Sequence, residues 1–228
     1  VSRTNSDTTH SFDFAQTSCD LVDGCKVHGG FFTAWKEVAS AVQSAVTSAR
    51  QANPSYAVVS TGHSLGAAVA TLAAAYLRKQ LQIPIDLYTY GSPRVGNDAF
   101  VNFVVGQAGS EFRVTHTDDP VPRLPPIVVN FRHTTPEYWL STGNATTVNY
   151  SADQVKVCEG TANTQCNAGT SGLDTDAHGY YFEKLGACAP ASKIKLRHET
   201  RGMNDEDLTE TLNAFAHADT AYVQALDQ

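Results

Sequence analysis

The sequence predicts an α/β fold, a parallel sheet covered by helices on both faces, and three observations carry that prediction. Helical and strand-like patterns alternate over residues 31–119. The strand-like runs are short, apolar and β-branched, as strands buried on both faces tend to be. The 228 residues are 42% hydrophobic and 17% charged, which is ordinary globular composition and ample for one hydrophobic core.

Residues 1–30 are polar and without periodicity, and read as loop. Phe31, Phe32, Trp35, Val38, Ala39, Val42 and Val46 recur at helical spacing, and Asn53-Pro54 closes that helix at Ala52. Residues 56–61 form a buried strand. Residues 67–79 are dense in Ala and Leu, apolar nearly all round, and predict a buried helix. Residues 86–90 are the next strand, closed by Gly91-Ser92-Pro93. A helix over 98–105 and a third strand over 111–116 follow. Beyond Asp119 come Pro120, Pro122, Pro125 and Pro126, then an irregular Asn/Thr/Gly-rich region to about 190. Residues 1–190 form the body. Residues 191–228 form a link, basic at Lys193, Lys195 and Arg197, and an amphipathic tail helix. Its stripe is Leu208, Leu212, Phe215, Ala216, Tyr222, Val223 and Leu226, with acidic residues in the first turns where the helix dipole favours them. The stripe is consistent with packing on the body, over an apolar cleft in the manner of a C-terminal pro-segment, and equally with a surface helix or a partner-docking element.

Sixteen basic and 23 acidic side chains leave a formal charge of −7, which argues against a nucleic-acid partner and against a polybasic membrane anchor. No run approaches the ~20 apolar residues of a transmembrane helix. Cys19 with Cys25, and Cys158 with Cys166, are short-range couples without zinc-site spacing, and predict two small loop-closing disulfides. Asn144-Ala145-Thr146 and Asn149-Tyr150-Ser151 are glycosylation sequons. Together these features favour a secreted protein. Cys188 is left over, as a free thiol or as one half of an intermolecular bond.

Gly62-His63-Ser64-Leu65-Gly66 has the pattern G-x-S-x-G, set between a strand and a helix. That context pushes a serine hydroxyl up at the end of a sheet, beside the N–H groups and positive dipole end of the helix that follows. Crowding of strand and helix requires both flanking glycines. The competing reading is a serine that merely caps the helix. A serine nucleophile needs an imidazole oriented by a carboxylate, in the order serine, acid, histidine. Asp118 and Asp119 follow the strand 111–116, and order alone does not choose between them. Of the histidines beyond them, His133 follows too closely, and His198 and His217 lie in the link and tail. His178 enters an aromatic cluster, where a partly desolvated base belongs.

The blocks HGGF (28–31), GHSLGAA (62–68), YTYGSPRVGN (88–97), FRVTHTDDPVPRLPP (112–126), EYW (137–139) and DAHGYYF (176–182) occur in the order found in filamentous-fungal class 3 lipases. The sequence resembles that family, which includes feruloyl esterases, over residues 12–190. The resemblance implies an α/β-hydrolase fold, Ser64 as nucleophile, Asp119 as acid, His178 as base and the Leu65 N–H as an oxyanion donor. It implies no metal or organic cofactor, and the two short cysteine couples fit the family's loops. It further implies a secreted ester hydrolase acting on lipid at an oil–water interface, most like a triacylglycerol lipase. Feruloyl ester hydrolysis and a non-catalytic interaction module are the alternatives.

The family carries upstream strands, a lid helix and an FRGS-type motif with a second oxyanion donor, and residues 1–11 hold no such motif. The family also ties its C-terminal cysteine to one near the N-terminus, a partner Cys188 lacks here. The expectation is therefore the C-terminal two-thirds of a lipase, either a fragment or one piece of a nicked enzyme whose separate N-terminal segment is bonded through Cys188. Loss of an oxyanion donor costs about 10²–10³ in rate, so the chain alone is expected to turn over slowly.

Overall fold

The computed structural model describes residues 14–185 and 204–226. Cys188, His198 and the basic link lie outside the described residues. The opening segment contains a small antiparallel hairpin, β1 (Gln16–Ser18) and β2 (Lys26–His28), where sequence patterning indicates loop. Strands of three residues are too short to display alternation. The Cys19–Cys25 disulfide and a Cys19 N–H to Cys25 carbonyl bond of 3.0 Å close the hairpin.

Helix α1 (Gly29–Ala52) begins two residues earlier than its apolar spacing indicates. His28 is its N-cap, its Nδ1 accepting the N–H groups of Gly30 and Phe31. Of the expected stripe only Phe31 and Trp35 are buried, and Val38 is 43% exposed. Strand β3 (Val58–His63) starts two residues later than 56–61, leaving Tyr56 exposed. Helix α2 (Leu65–Leu81) is buried as its composition demands, with Ala67, Ala68, Leu72, Ala74 and Ala75 wholly inaccessible. Burying one leucine of this kind stabilises by about 1.5–3 kcal/mol. Strand β4 (Ile85–Tyr90), helix α3 (Asp98–Val105) and strand β5 (Glu111–His116) follow as the patterning indicates. Phe100, Val101 and Val104 of α3 join Ile85, Leu87 and the α2 residues in one core.

The region expected to be irregular to residue 190 contains two more strands, β6 (Glu137–Leu140) and β7 (Val155–Cys158). They complete a five-stranded sheet of order β3-β4-β5-β6-β7, the first four parallel and β7 antiparallel. Hydropathy misses β6 because it opens on a glutamate. Glu137 is register partner of Arg113 on β5, and the two form a 3.0 Å ion pair, both nearly inaccessible. A charge can head a buried strand only when its neighbour neutralises it.

Helix α4 (Asp205–Leu226) packs on the 3₁₀ turns Ile127–Val129 and Asn167–Gly169, with Leu208 and Leu212 against Leu124, Leu173 and Phe14. Its last two turns depart from the expected stripe. Tyr222 and Leu226 are exposed, and the buried residue there is Asp219. Asp219 meets the buried Arg94 at 3.1 Å and accepts the Val128 N–H at 3.0 Å. Helical spacing locates an apolar face but is blind to a charge whose partner comes from another segment.

Candidate active site

Strand β3 runs into α2 through a single residue, Ser64, at φ 57°, ψ −129°. A non-glycine residue at positive φ is strained, and such strain collects at functional sites. The turn is held by backbone: Ser64 N–H donates to the Tyr90 carbonyl at 3.0 Å, and the Ser64 carbonyl accepts from Ala67 and Ala68. A Cβ on Gly62 would lie 2.3 Å from the Gly66 carbonyl oxygen, so only glycine fits there. Gly66 differs from the expectation, because a Cβ on it would meet nothing within 4 Å. Crowding acts on the strand side of the turn only. The Ser64 side chain makes no capping bond, so its hydroxyl is not used to start α2. Leu65 is the first residue of that helix, and its N–H therefore has no carbonyl within the helix to bond.

Asp119 lies in the turn after β5 and is wholly buried. Asp119, rather than Asp118, meets the imidazole: His178 Nδ1 stands 2.8 Å from Asp119 Oδ2. The Tyr181 hydroxyl donates to the same oxygen at 2.6 Å, and the Val121 N–H donates to Oδ1 at 2.9 Å. Burial pushes the Asp119 carboxyl up, but the imidazole beside it and the hydrogen bonds from His178, Tyr181 and Val121 together hold it below the usual carboxylate range. An ionised carboxylate only accepts, so Nδ1 of His178 carries the proton and Nε2 of the neutral ring is the basic atom. His178 is 2% exposed, and its Nε2 has no hydrogen-bond partner among the described residues.

Three residues that sequence reasoning did not assign to the site complete its surroundings. His63, next to Ser64, donates from Nε2 to the His178 carbonyl at 2.8 Å, with its ring 4.5 Å from the His178 ring. Burial, then the neighbouring His178, lowers its pKa to about 4, so His63 is a neutral donor. Tyr181 stands three positions past His178, in the aromatic cluster of Tyr90, Tyr150 and Phe182, and its phenol is pushed well above its ordinary value by burial and by Asp119. Gly91, at φ 57°, ends β4. A Cβ there would lie 2.6 Å from the Tyr181 hydroxyl, 2.9 Å from His178 Cε1 and 3.0 Å from Asp119 Oδ2. The Gly-Ser-Pro signal after β4 marked the turn without revealing what it clears.

Two other buried histidines serve structure. His116 bonds the Ala177 carbonyl and the Tyr150 hydroxyl, bracing the segment before His178. His133 is buried against the Pro122 carbonyl, and burial, with Arg113 and Arg94 nearby, keeps it far below its ordinary value and neutral. His217 is exposed on α4. The Cys158–Cys166 disulfide closes the loop after β7. Asn144 and Asn149 are both exposed. Among the described residues no group of three or more His, Cys, Asp or Glu is arranged to hold a metal ion, and no helix is long and apolar enough to cross a membrane.

The family model described as Lipase (class 3) matches residues 2–129. Secreted mono- and diacylglycerol lipase 1 of Fusarium solani is 54% identical over 216 residues, covering 95% of this chain and 63% of that protein. Secreted mono- and diacylglycerol lipase A of Penicillium cyclopium is 43% identical over 178 residues, covering 76% of this chain and 57% of that protein. The chain thus spans less than two thirds of the length of either relative. Among solved structures, the mono- and diacylglycerol lipase from Aspergillus oryzae superposes with a TM-score of 0.71 at 41% identity, over 77% of this chain and 65% of that one. That likeness agrees with the α/β-hydrolase architecture of a mostly parallel sheet flanked by helices.

Proposed function

We propose that this chain, which belongs to the class 3 lipase family, carries the catalytic groups of a secreted serine hydrolase of acylglycerol esters. The observation that carries the reading is a buried imidazole. Its Nδ1 is fixed by Asp119, its Nε2 is unpartnered among the described residues, and it packs on the residue adjoining a strained, uncapped serine. Ser64 attacks the ester carbonyl while His178 Nε2 takes its proton, and Asp119 stabilises the imidazolium that forms. The Leu65 N–H, at the start of α2, donates to the developing oxyanion. The imidazolium then protonates the leaving alcohol, and water, deprotonated by the same nitrogen, releases the acid.

The two relatives, both mono- and diacylglycerol lipases, favour mono- and diacylglycerols over the triacylglycerols that the sequence blocks suggest. They also favour lipid esters over feruloyl esters. Both relatives are secreted lipases, and two disulfides agree with secretion here.

The test is an alkyl phosphonate probe followed by peptide mass spectrometry, with hydrolysis rates on mono-, di- and triacylglycerol emulsions alongside. An adduct on Ser64, absent in Ser64→Ala, is expected, with partial glycerides turned over fastest. A folded protein unlabelled at Ser64 would overturn the mechanism. Labelling with a preference for triacylglycerol would overturn the substrate assignment alone.

A further inference from the structure

Asn167 lies outside the groups assigned above, and it is 1% exposed. Its Nδ2 donates twice, to the Thr117 carbonyl at 3.2 Å and to the carbonyl of Asp119 itself at 3.0 Å. Its Oδ1 is buried without a partner among the described residues, so the amide's use at this site is to donate. The turn it grips needs gripping. Thr117 stands at φ 35°, a conformation that a β-branched residue adopts only under constraint. The Thr117 carbonyl also accepts from the Trp139 indole at 2.8 Å, and the Thr117 N–H is held by the Leu140 carbonyl at 2.9 Å.

Asn167 is itself anchored from two sides. Cys166 immediately before it is disulfide-bonded to Cys158 at the end of β7, the register partner of Glu137. The Asn167 N–H donates to Glu137 Oε1 at 3.2 Å, and Glu137 is fixed by Arg113 and Thr115. The disulfide loop thus ends in an amide clamped on the backbone of the Asp119 turn.

We propose that Asn167 is a positioning residue for Asp119, holding its carboxylate in line with His178 Nδ1. The proposal rests on the serine-hydrolase reading. A small misplacement of a catalytic group can cost about 10²-fold in rate. Asn167 touches the backbone of the Asp119 turn and none of the groups assigned to substrate, so the loss is expected in kcat rather than in KM.

The experiment compares the wild-type protein with Asn167→Asp, which keeps the side chain's shape and replaces the donating NH₂ by an acceptor facing two carbonyls. Asn167→His, which can restore a single N–H donor, is the rescue. Expected for Asn167→Asp is a fall in kcat of about tenfold to a hundredfold with KM unchanged. The acid limb of its kcat/KM profile moves to lower pH, because a displaced carboxylate stabilises the imidazolium less. Asn167→His recovers part of the loss. The downfield proton resonance of the imidazole Nδ1–H is expected to shift or broaden in Asn167→Asp. That signal reads the Asp119–His178 bond without turnover, so it tests the proposal even if the wild type hydrolyses no ester. Should Asn167→Asp not fold, Asn167→Ala, which removes both Nδ2 donations without adding an acceptor, is read in the same way. A folded variant with wild-type kcat, pH profile and Nδ1–H resonance would overturn the proposal, as would a loss that merely tracks melting temperature.

Discussion

The elbow at 62–66 and the pair at 119 and 178 sit in one site but are held by different means. The elbow is mostly local: five consecutive residues, a glycine with no room for a Cβ, main-chain hydrogen bonds to Ala67 and Ala68, and a single main-chain bond across to Tyr90 on β4. The acid–base pair joins residues 59 positions apart, and side chains brought from other segments hold it: Tyr181, His63 and the buried amide of Asn167. A local device fails when its backbone is forced. A distributed one loses function stepwise as donors are removed.

The largest effect expected from this contrast is at the elbow. Gly62→Ala places a Cβ against the Gly66 carbonyl, so it should destabilise by about 1–3 kcal/mol or more and lower kcat by more than about 10²-fold. Gly66→Ala, with open space around its Cβ on a helix, should leave stability intact or raise it by about 0.5–1 kcal/mol. Thermal melts and ester hydrolysis of both variants would measure this, and equal damage at the two glycines would break the comparison.

A middling effect is expected on the other side of the site. Tyr181→Phe removes one of the donors to a buried carboxylate, a bond to a charged group worth about 1.5–3 kcal/mol. Because Nδ1 of His178 and the Val121 N–H still hold Asp119, kcat should fall only about tenfold. Complete loss of activity would show that the pair is as brittle as the elbow.

The smallest effect is one of pH. The pKa of His63 is lowered from 6.5 to about 4 by burial, so its neutral form is the folded form. The stability this contributes is fully present above pH 6.5 and is lost as pH falls towards 4. His133, also buried and neutral, adds a loss of the same sign. His63→Gln should therefore flatten, without abolishing, the fall in melting temperature between pH 7 and pH 4.5. An unchanged pH dependence would remove His63 from the set of groups that hold His178.

Legibility from sequence follows the same division. The helices and strands of residues 29–116 showed in their periodicity to within about two residues, as short-range patterning allows. The strand–turn–helix context around Ser64 was equally open to reading. The hairpin of β1 and β2 and the strands β6 and β7 were not, because they are three or four residues long and the buried charge of Glu137 masks one of them. The aromatic run after His178 pointed to a desolvated base, but the spacing of Asp118 and Asp119 was equal on every local criterion.

What the sequence alone determined is whatever a Cβ, a glycine or a repeat of apolar residues dictates to its immediate neighbours: the order of the elements and the bend that lifts Ser64. The tertiary structure shows Asp119 turned inward onto His178, a choice between adjacent aspartates that local spacing left open and only the family blocks implied, and it alone shows Asn167 and Asp219 buried against partners far along the chain. Those choices depend on whether a polar group removed from water finds its counterpart. That counterpart exists only once distant segments have been brought together.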